Sequence, residues 1–343
     1  MQKQIVVLTT GGTIASRWQG SGYAADTPGR ELVARAPLPP GVAVTVTELF
    51  NVNSARLTVA HQLTLLHAVH RELARPEVAG IVVTHGTDTL EETAFLLDLH
   101  HADSRPVVIT GAQLPADSEQ ADGPGNLKDA VVAAATLDGV GTVVVFDRTV
   151  HAARGTVKTH TLRLDTFADP SGRPIGEVGD VRAVVRHPSP RPAALPLPPM
   201  PRTRLRVDMV MHHTDADPLL LRAAADAGAE GIVLVATGAG NATPHFVEAV
   251  AELTGRGVPV ALTTRVAAGP VVEIYTCGGA VDLVAAGALP TGTLRAGQAR
   301  IAVLAALLAT PDPAGRRAVL RRVLAASPDA PAVGAHHGPA PAC

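Results

Sequence analysis

Residues 4–15 read QIVVLTTGGTIA, and the architecture can be worked out from this stretch. Ile5–Leu8 is an aliphatic run without polar alternation, the pattern of a strand covered on both faces, and such strands belong to parallel sheets roofed by helices. Thr10-Gly11-Gly12-Thr13 then ends the strand. Two glycines let the main chain turn sharply and present N–H groups and the Thr13 hydroxyl beyond the sheet edge, where open α/β sheets take their ligands. The turn is neither a GxGxxG nor a Walker loop. Taken alone it reads as a tight turn capped by a threonine; its chemical weight comes from what recurs downstream.

The same kind of run recurs at Ala43–Leu49, Gly80–His85, Arg105–Thr110 and Gly141–Phe146, with helical patterns at Leu57–Leu73, Leu90–His100 and Gly125–Leu137 between them. Strands alternating with helices predict an α/β fold: a larger N-terminal catalytic domain over residues 1–185, its mostly parallel sheet flanked by helices and its strand C-termini on one side. Residues 186–204, RHPSPRPAALPLPPMPRTR, carry too many prolines for helix or central strand and read as a stiff connector. A smaller C-terminal α/β domain follows over 205–326. It has strands at Val207–His212, Gly231–Thr237 and Val258–Thr264, and helices near Pro218–Ala227, Pro244–Thr254, Ala299–Ala309 and Pro313–Ala326. The Ala/Pro-rich segment 327–343 is expected to fray.

Composition narrows the partners. The 343 residues include 29 basic and 31 acidic side chains, a formal net charge of −2. That balance supplies no field for a nucleic acid, and no apolar run reaches the length of a membrane span. A small molecule is the expected partner. With cysteines only at 277 and 343, neither a disulfide framework nor a cysteine-based zinc site is expected. The 14 histidines show no HExxH or paired ligand spacing, so no metal or organic cofactor is called for. Met1–Gln4 runs straight into Ile5–Leu8, too short for a signal h-region, which points to the cytoplasm.

The third strand ends His85-Gly86-Thr87-Asp88-Thr89-Leu90-Glu91-Glu92, placing a second hydroxyl-rich turn on the same side of the sheet as the first. Thr89 can N-cap the following helix, with Glu92 completing a capping box, and this leaves Thr87 and Asp88 free. His85, just before the turn, reads as a packed, hydrogen-bonded histidine rather than a base. A threonine hydroxyl is a poor nucleophile until a base takes its proton, and a lysine of lowered pKa can do so. Of the 29 basic residues only Lys3, Lys128 and Lys158 are lysines. Lys158, in Gly155-Thr156-Val157-Lys158-Thr159 just past the fifth strand, is the candidate.

Together these segments resemble the bacterial-type L-asparaginase/glutaminase family, whose signatures are a TGGTIA turn and a later HGTDT turn. Both stand here unbroken, at Thr10–Ala15 and His85–Thr89, with a DGPxN segment at Asp122–Asn126. The resemblance implies Thr13 as nucleophile, Tyr23 on a lid (Ser16–Gly29) that closes beside it, and Thr87, Asp88 and Lys158 as a second catalytic group. Asp88 is implied as partner of the substrate α-ammonium and Ser54 as holder of its α-carboxylate. It also implies L-asparagine as substrate, L-glutamine as a weaker one, no cofactor, and a homodimer or homotetramer with sites at the intimate interface. Ala55 departs from the glutamine that many members carry after the serine. Glu273 is off the family spacing for an acidic residue lent across subunits and reads as a surface or interface carboxylate. Two rival readings share these residues: a non-catalytic amino-acid sensor, and the ammonia-producing subunit of a tRNA-dependent amidotransferase. The intact hydroxyls and lysine argue against the first, and the start of the chain at its first strand against the second.

Overall fold

The computed structural model describes residues 3–200 and 204–325; the stretch expected to fray, 327–343, lies outside the described residues. Among those residues the chain divides into two compact units, one running to Ser189 and including Ala193–Leu197, the other formed by Pro190–Pro192 and the residues from Pro198 on.

The first unit is built on eight strands: β1 (Lys3–Thr9), β2 (Val42–Glu48), β3 (Val78–Thr84), β4 (Val107–Thr110), β5 (Thr142–Phe146), β6 (Thr149–Ala152), β7 (Gly176–Val178) and β8 (Ala183–Val185). They lie in the order β8-β7-β6-β5-β4-β3-β1-β2. Strands β2, β1, β3, β4 and β5 are parallel, and β6, β7 and β8 continue the sheet antiparallel. Helices α1 (Gly29–Arg35) and α4 (Gly123–Thr136) pack on one face, α2 (Val59–Leu73) and α3 (Leu90–Leu99) on the other. Ile5, Val6, Val7 and Leu8 are fully buried, as are Ile81–Val83 and Val107–Ile109; each such side chain contributes about 1.5–3 kcal/mol.

The order of the strands creates the site. From β1 the chain steps to β2 on one side, then crosses back to β3 on the other, so the turns leaving the C-terminal ends of these neighbouring parallel strands lie side by side, at the edge where open α/β sheets take their ligands. The Thr10–Thr13 and His85–Thr89 turns are those two turns.

The second unit holds a four-stranded parallel sheet, β9 (Val207–Met211), β10 (Gly231–Ala236), β11 (Val260–Thr264) and β12 (Leu289–Pro290) in that order, with helices α5 (Leu219–Asp226), α6 (Pro244–Gly255), α7 (Ala280–Ala285), α8 (Ala296–Ala309) and α9 (Pro313–Ala325). The fold is therefore the expected α/β pair. Short or polar elements escaped the sequence reading: α1, β6, β7, β8, α7 and β12. The connector is without helix or strand from 187 to 200, yet it is anchored. Leu195 is buried and donates its N–H to Leu99 O at 2.7 Å, and a ring nitrogen of His100 meets Pro196 O at 2.8 Å.

Candidate active site

Three loops meet at the end of β1 because glycine leaves no side chain between them. Gly12 has φ 88°, the left-handed region open to glycine, and a Cβ there would sit 2.3 Å from Gly86 Cα and 2.4 Å from Gly86 N. A Cβ on Gly86 would in turn lie 2.6 Å from Ser54 Oγ. Hydrogen bonds onto main-chain carbonyls lock the arrangement. Thr10 donates through its hydroxyl to Thr84 O at 2.9 Å, Val52 N–H donates to Thr10 O at 3.0 Å, and Ser16 Oγ donates to Gly12 O at 3.0 Å. Thr13 opens a 3-10 turn, Thr13–Ala15, and is partly exposed.

Across the contact, Thr87 is buried, and its hydroxyl accepts from Lys158 Nζ at 2.8 Å while donating to Gln113 Oε1 at 3.1 Å. Lys158 Nζ also lies 3.0 Å from Asp88 Oδ1. Residues 71 positions apart thus form one Thr87–Asp88–Lys158 group, with the ammonium largely shielded and the carboxylate half exposed. Ser54 is buried, accepts the Asp88 N–H at 3.2 Å, and its carbonyl accepts from the Thr89 hydroxyl at 3.0 Å. That last bond corrects the helix-cap reading: Thr89 occupies the N-cap position of α3 but makes no side-chain cap bond, its hydroxyl being spent on Ser54. Ala55 is exposed, its N–H held by Asn53 Oδ1 at 2.9 Å.

Tyr23 stands on a two-stranded antiparallel ribbon, Ser16–Trp18 with Tyr23–Ala25, rather than on an irregular loop. It is 58% exposed and its ring meets Trp18 edge-on, centroids 5.3 Å apart. The ribbon is tied down by Trp18 N–H to Asp117 Oδ2 at 2.8 Å. His85 is the packed histidine the sequence pointed to. It is wholly buried with a ring nitrogen 2.7 Å from Gly86 O, and desolvation lowers its pKa to about 4. Glu273 is exposed on a segment without strand.

Two supporting side chains were missed. Gln113 is oriented by donating to the carbonyls of Thr161 and Arg163, both at 3.1 Å, and its main-chain N–H donates to Asp122 Oδ2 at 2.9 Å. The one signal for it was its place just past a predicted strand. Glu91 accepts the main-chain N–H of Lys158 at 2.5 Å, and its pKa is pushed up to about 7 by desolvation, against the pull of Lys158. It read only as an acidic residue in a first helical turn. Asp122 and Asn126, inside the DGPxN segment, carry the frame: Asn126 Nδ2 bridges Gly111 O at 3.0 Å and Asp122 Oδ2 at 3.1 Å.

Fold and side-chain group together are those of an α/β amidohydrolase. The chain belongs to the asparaginase family: residues 4–191 match its model "Asparaginase, N-terminal" and 206–320 the "Glutaminase/Asparaginase C-terminal domain". It is 35% identical over 294 residues to the L-asparaginase of Bacillus licheniformis, covering 84% of this chain and 90% of that one. Identity to the probable L-asparaginase of Deinococcus radiodurans is 37% over 314 residues, 89% and 92% of the two chains. The crystal structure of the probable cytoplasmic L-asparaginase from Campylobacter jejuni superposes with a TM-score of 0.81 at 27% identity, covering 93% of this chain and 99% of that one. Among the described residues no helix is long and apolar enough to cross a membrane.

Proposed function

We propose that this chain hydrolyses the side-chain amide of L-asparagine to L-aspartate and ammonia, with L-glutamine as a weaker substrate, through a threonine acyl-enzyme. The observation that carries the reading is Lys158 Nζ set on Thr87 Oγ1 and Asp88 Oδ1 at the sheet's switch point, against the turn that presents Thr13. Thr13 Oγ attacks the amide carbon and its proton passes to Lys158 in its neutral amine form, and the ammonium so formed then protonates the leaving nitrogen. The C–N bond breaks, nitrogen leaves protonated as ammonia, and water then cleaves the ester to free Thr13 and aspartate. Lysine suits the task because, unlike arginine, it can shed its proton. In this scheme main-chain N–H groups near Gly12 and Thr87 stabilise the developing oxyanion, each such donor typically worth about 3–4 kcal/mol. Asp88, half exposed, receives the substrate α-ammonium and Ser54 its α-carboxylate, while Tyr23 closes over Thr13 from the ribbon. No metal or organic cofactor enters this scheme.

The name of the Campylobacter neighbour supports a cytoplasmic site of action. A homodimer or homotetramer is supported by Val266, Ile274 and Tyr275, which are 45%, 48% and 56% exposed on a segment without strand; a second copy covering them would remove an apolar patch.

Ammonia release across a panel of amides tests the reading, with Thr13→Ala as the control. Asparagine should be the best substrate, and Thr13→Ala should lose turnover while melting like the wild type. Retention of more than about a tenth of kcat, a barrier change under roughly 1.4 kcal/mol, would reject Thr13 as nucleophile. No ammonia from any amide would reject the reading whole.

A further inference from the structure

Lys158 is tied to one short stretch of chain at both of its ends. Its Nζ reaches Thr87 and Asp88, and its main-chain N–H reaches Glu91 Oε2 at 2.5 Å. Residues 87–91 form the turn after β3 and the start of α3, so the lysine is held alongside a single rigid segment. The ribbon strand that carries it, Val157–Lys158, is only two residues long and among the described residues pairs only with Phe167–Ala168, too little to fix a long side chain within hydrogen-bond reach of a hydroxyl. We propose that Glu91 is a positioning residue for the reaction: it clamps the Lys158 main chain to the first turn of α3 and so keeps Nζ on the Thr87 hydroxyl.

The inference rests on the reading of Lys158 as the base. Glu91 does not touch the reacting atoms; it acts through Lys158. Its surroundings make the clamp sensitive to protons. Desolvation and the neighbouring Glu92 raise its pKa, the Lys158 N–H and ammonium lower it, and the outcome is about 7; Asp88 is the other acidic group bonded to the same lysine. Above that pH the carboxylate makes a charge-assisted bond, stronger than the one a protonated carboxyl can make. As pH falls through 7 the clamp loosens and Nζ is held less well.

The test compares wild type, Glu91→Gln and Glu91→Ala by ammonia release from asparagine between pH 5 and 9, with thermal melts of each. Gln keeps an acceptor of the same shape and has no proton to titrate, so the ratio of wild-type to Gln kcat should rise with pH through one ionisation near 7. Ala removes the acceptor and should lose about tenfold or more in kcat with KM changed far less, and Gln should recover most of that loss. A flat ratio in an active wild type, or an Ala variant with wild-type kcat, overturns the role of Glu91 and leaves the proposed reaction standing. If Ala fails to fold, the wild-type to Gln ratio still decides. A wild type inactive toward asparagine overturns both.

Discussion

Replacing Gly12 by alanine is the sharpest perturbation the site offers. A Cβ would lie 2.3 Å from Gly86 Cα and 2.4 Å from Gly86 N, where carbon atoms in contact need roughly 3.5–4.0 Å. The two turns must therefore separate by about 1 Å or more. Gly12 also has φ 88° and ψ −175°, a conformation nearly closed to residues with a Cβ and costing about 1–3 kcal/mol. At roughly 2–4 °C per kcal/mol for a unit of this size, the melting temperature should fall by a few degrees, well short of unfolding. Activity should suffer more, because a displacement near 1 Å between reacting groups costs on the order of a hundredfold. Differential scanning calorimetry and asparagine kinetics measure the two effects. Gly22→Ala is the control, since a Cβ there meets nothing within 4 Å, and it should melt like the wild type. A Gly12→Ala variant with wild-type kcat/KM and melting temperature would refute the claim that the contact of these turns builds the site.

Lys158→Arg should be nearly as damaging as Lys158→Met, since arginine keeps the charge and cannot act as a base; substantial activity in the Arg variant would make the residue an electrostatic anchor. Gln113→Met removes the acceptor of the Thr87 proton, a bond worth about 1 kcal/mol, and should lower kcat roughly fivefold; steady-state kinetics equal to wild type would show that the hydroxyl needs no such guide. Stability should fall on acidification. His85 and His151, both lowered to about 4 by desolvation, stay neutral in the fold while the unfolded chain takes up two protons below pH 6.5. Glu91, raised to about 7, binds one proton in the fold that the unfolded chain lacks above 4.5. For these three groups the unfolded state holds one more proton between pH 4.5 and 6.5, a loss of about 1.4 kcal/mol for each unit the pH drops. Urea melts at pH 6.5, 5.5 and 4.5 measure that slope, and stability that rose over the same interval would contradict it.

The sequence by itself determined the parts whose physics is local. Unbroken aliphatic runs such as Ile5–Leu8 name buried parallel strands, because only a strand covered on both faces tolerates them. The Gly11-Gly12-Thr13 and Gly86-Thr87-Asp88 turns declare themselves by glycine followed by hydroxyl, and the scarcity of lysine singled out Lys158. Elements whose pattern is weak were not legible: β6, β7 and β8 are antiparallel additions of three or four residues, and α1 begins on a Pro-Gly pair that reads as a turn. What tertiary structure alone decided was which side chains meet. Lys158 reaches Thr87 across 71 positions, Ser54 reaches Asp88 across 34, and Gln113 reaches Thr87 across 26. Strand order sets those meetings, since the chain places β2 and β3 on opposite sides of β1, and no local propensity encodes that choice. Thr89 shows the same reason at the scale of one hydroxyl: its sequence position assigns it to cap α3, and the fold, by bringing Ser54 O within 3.0 Å, gives it another partner.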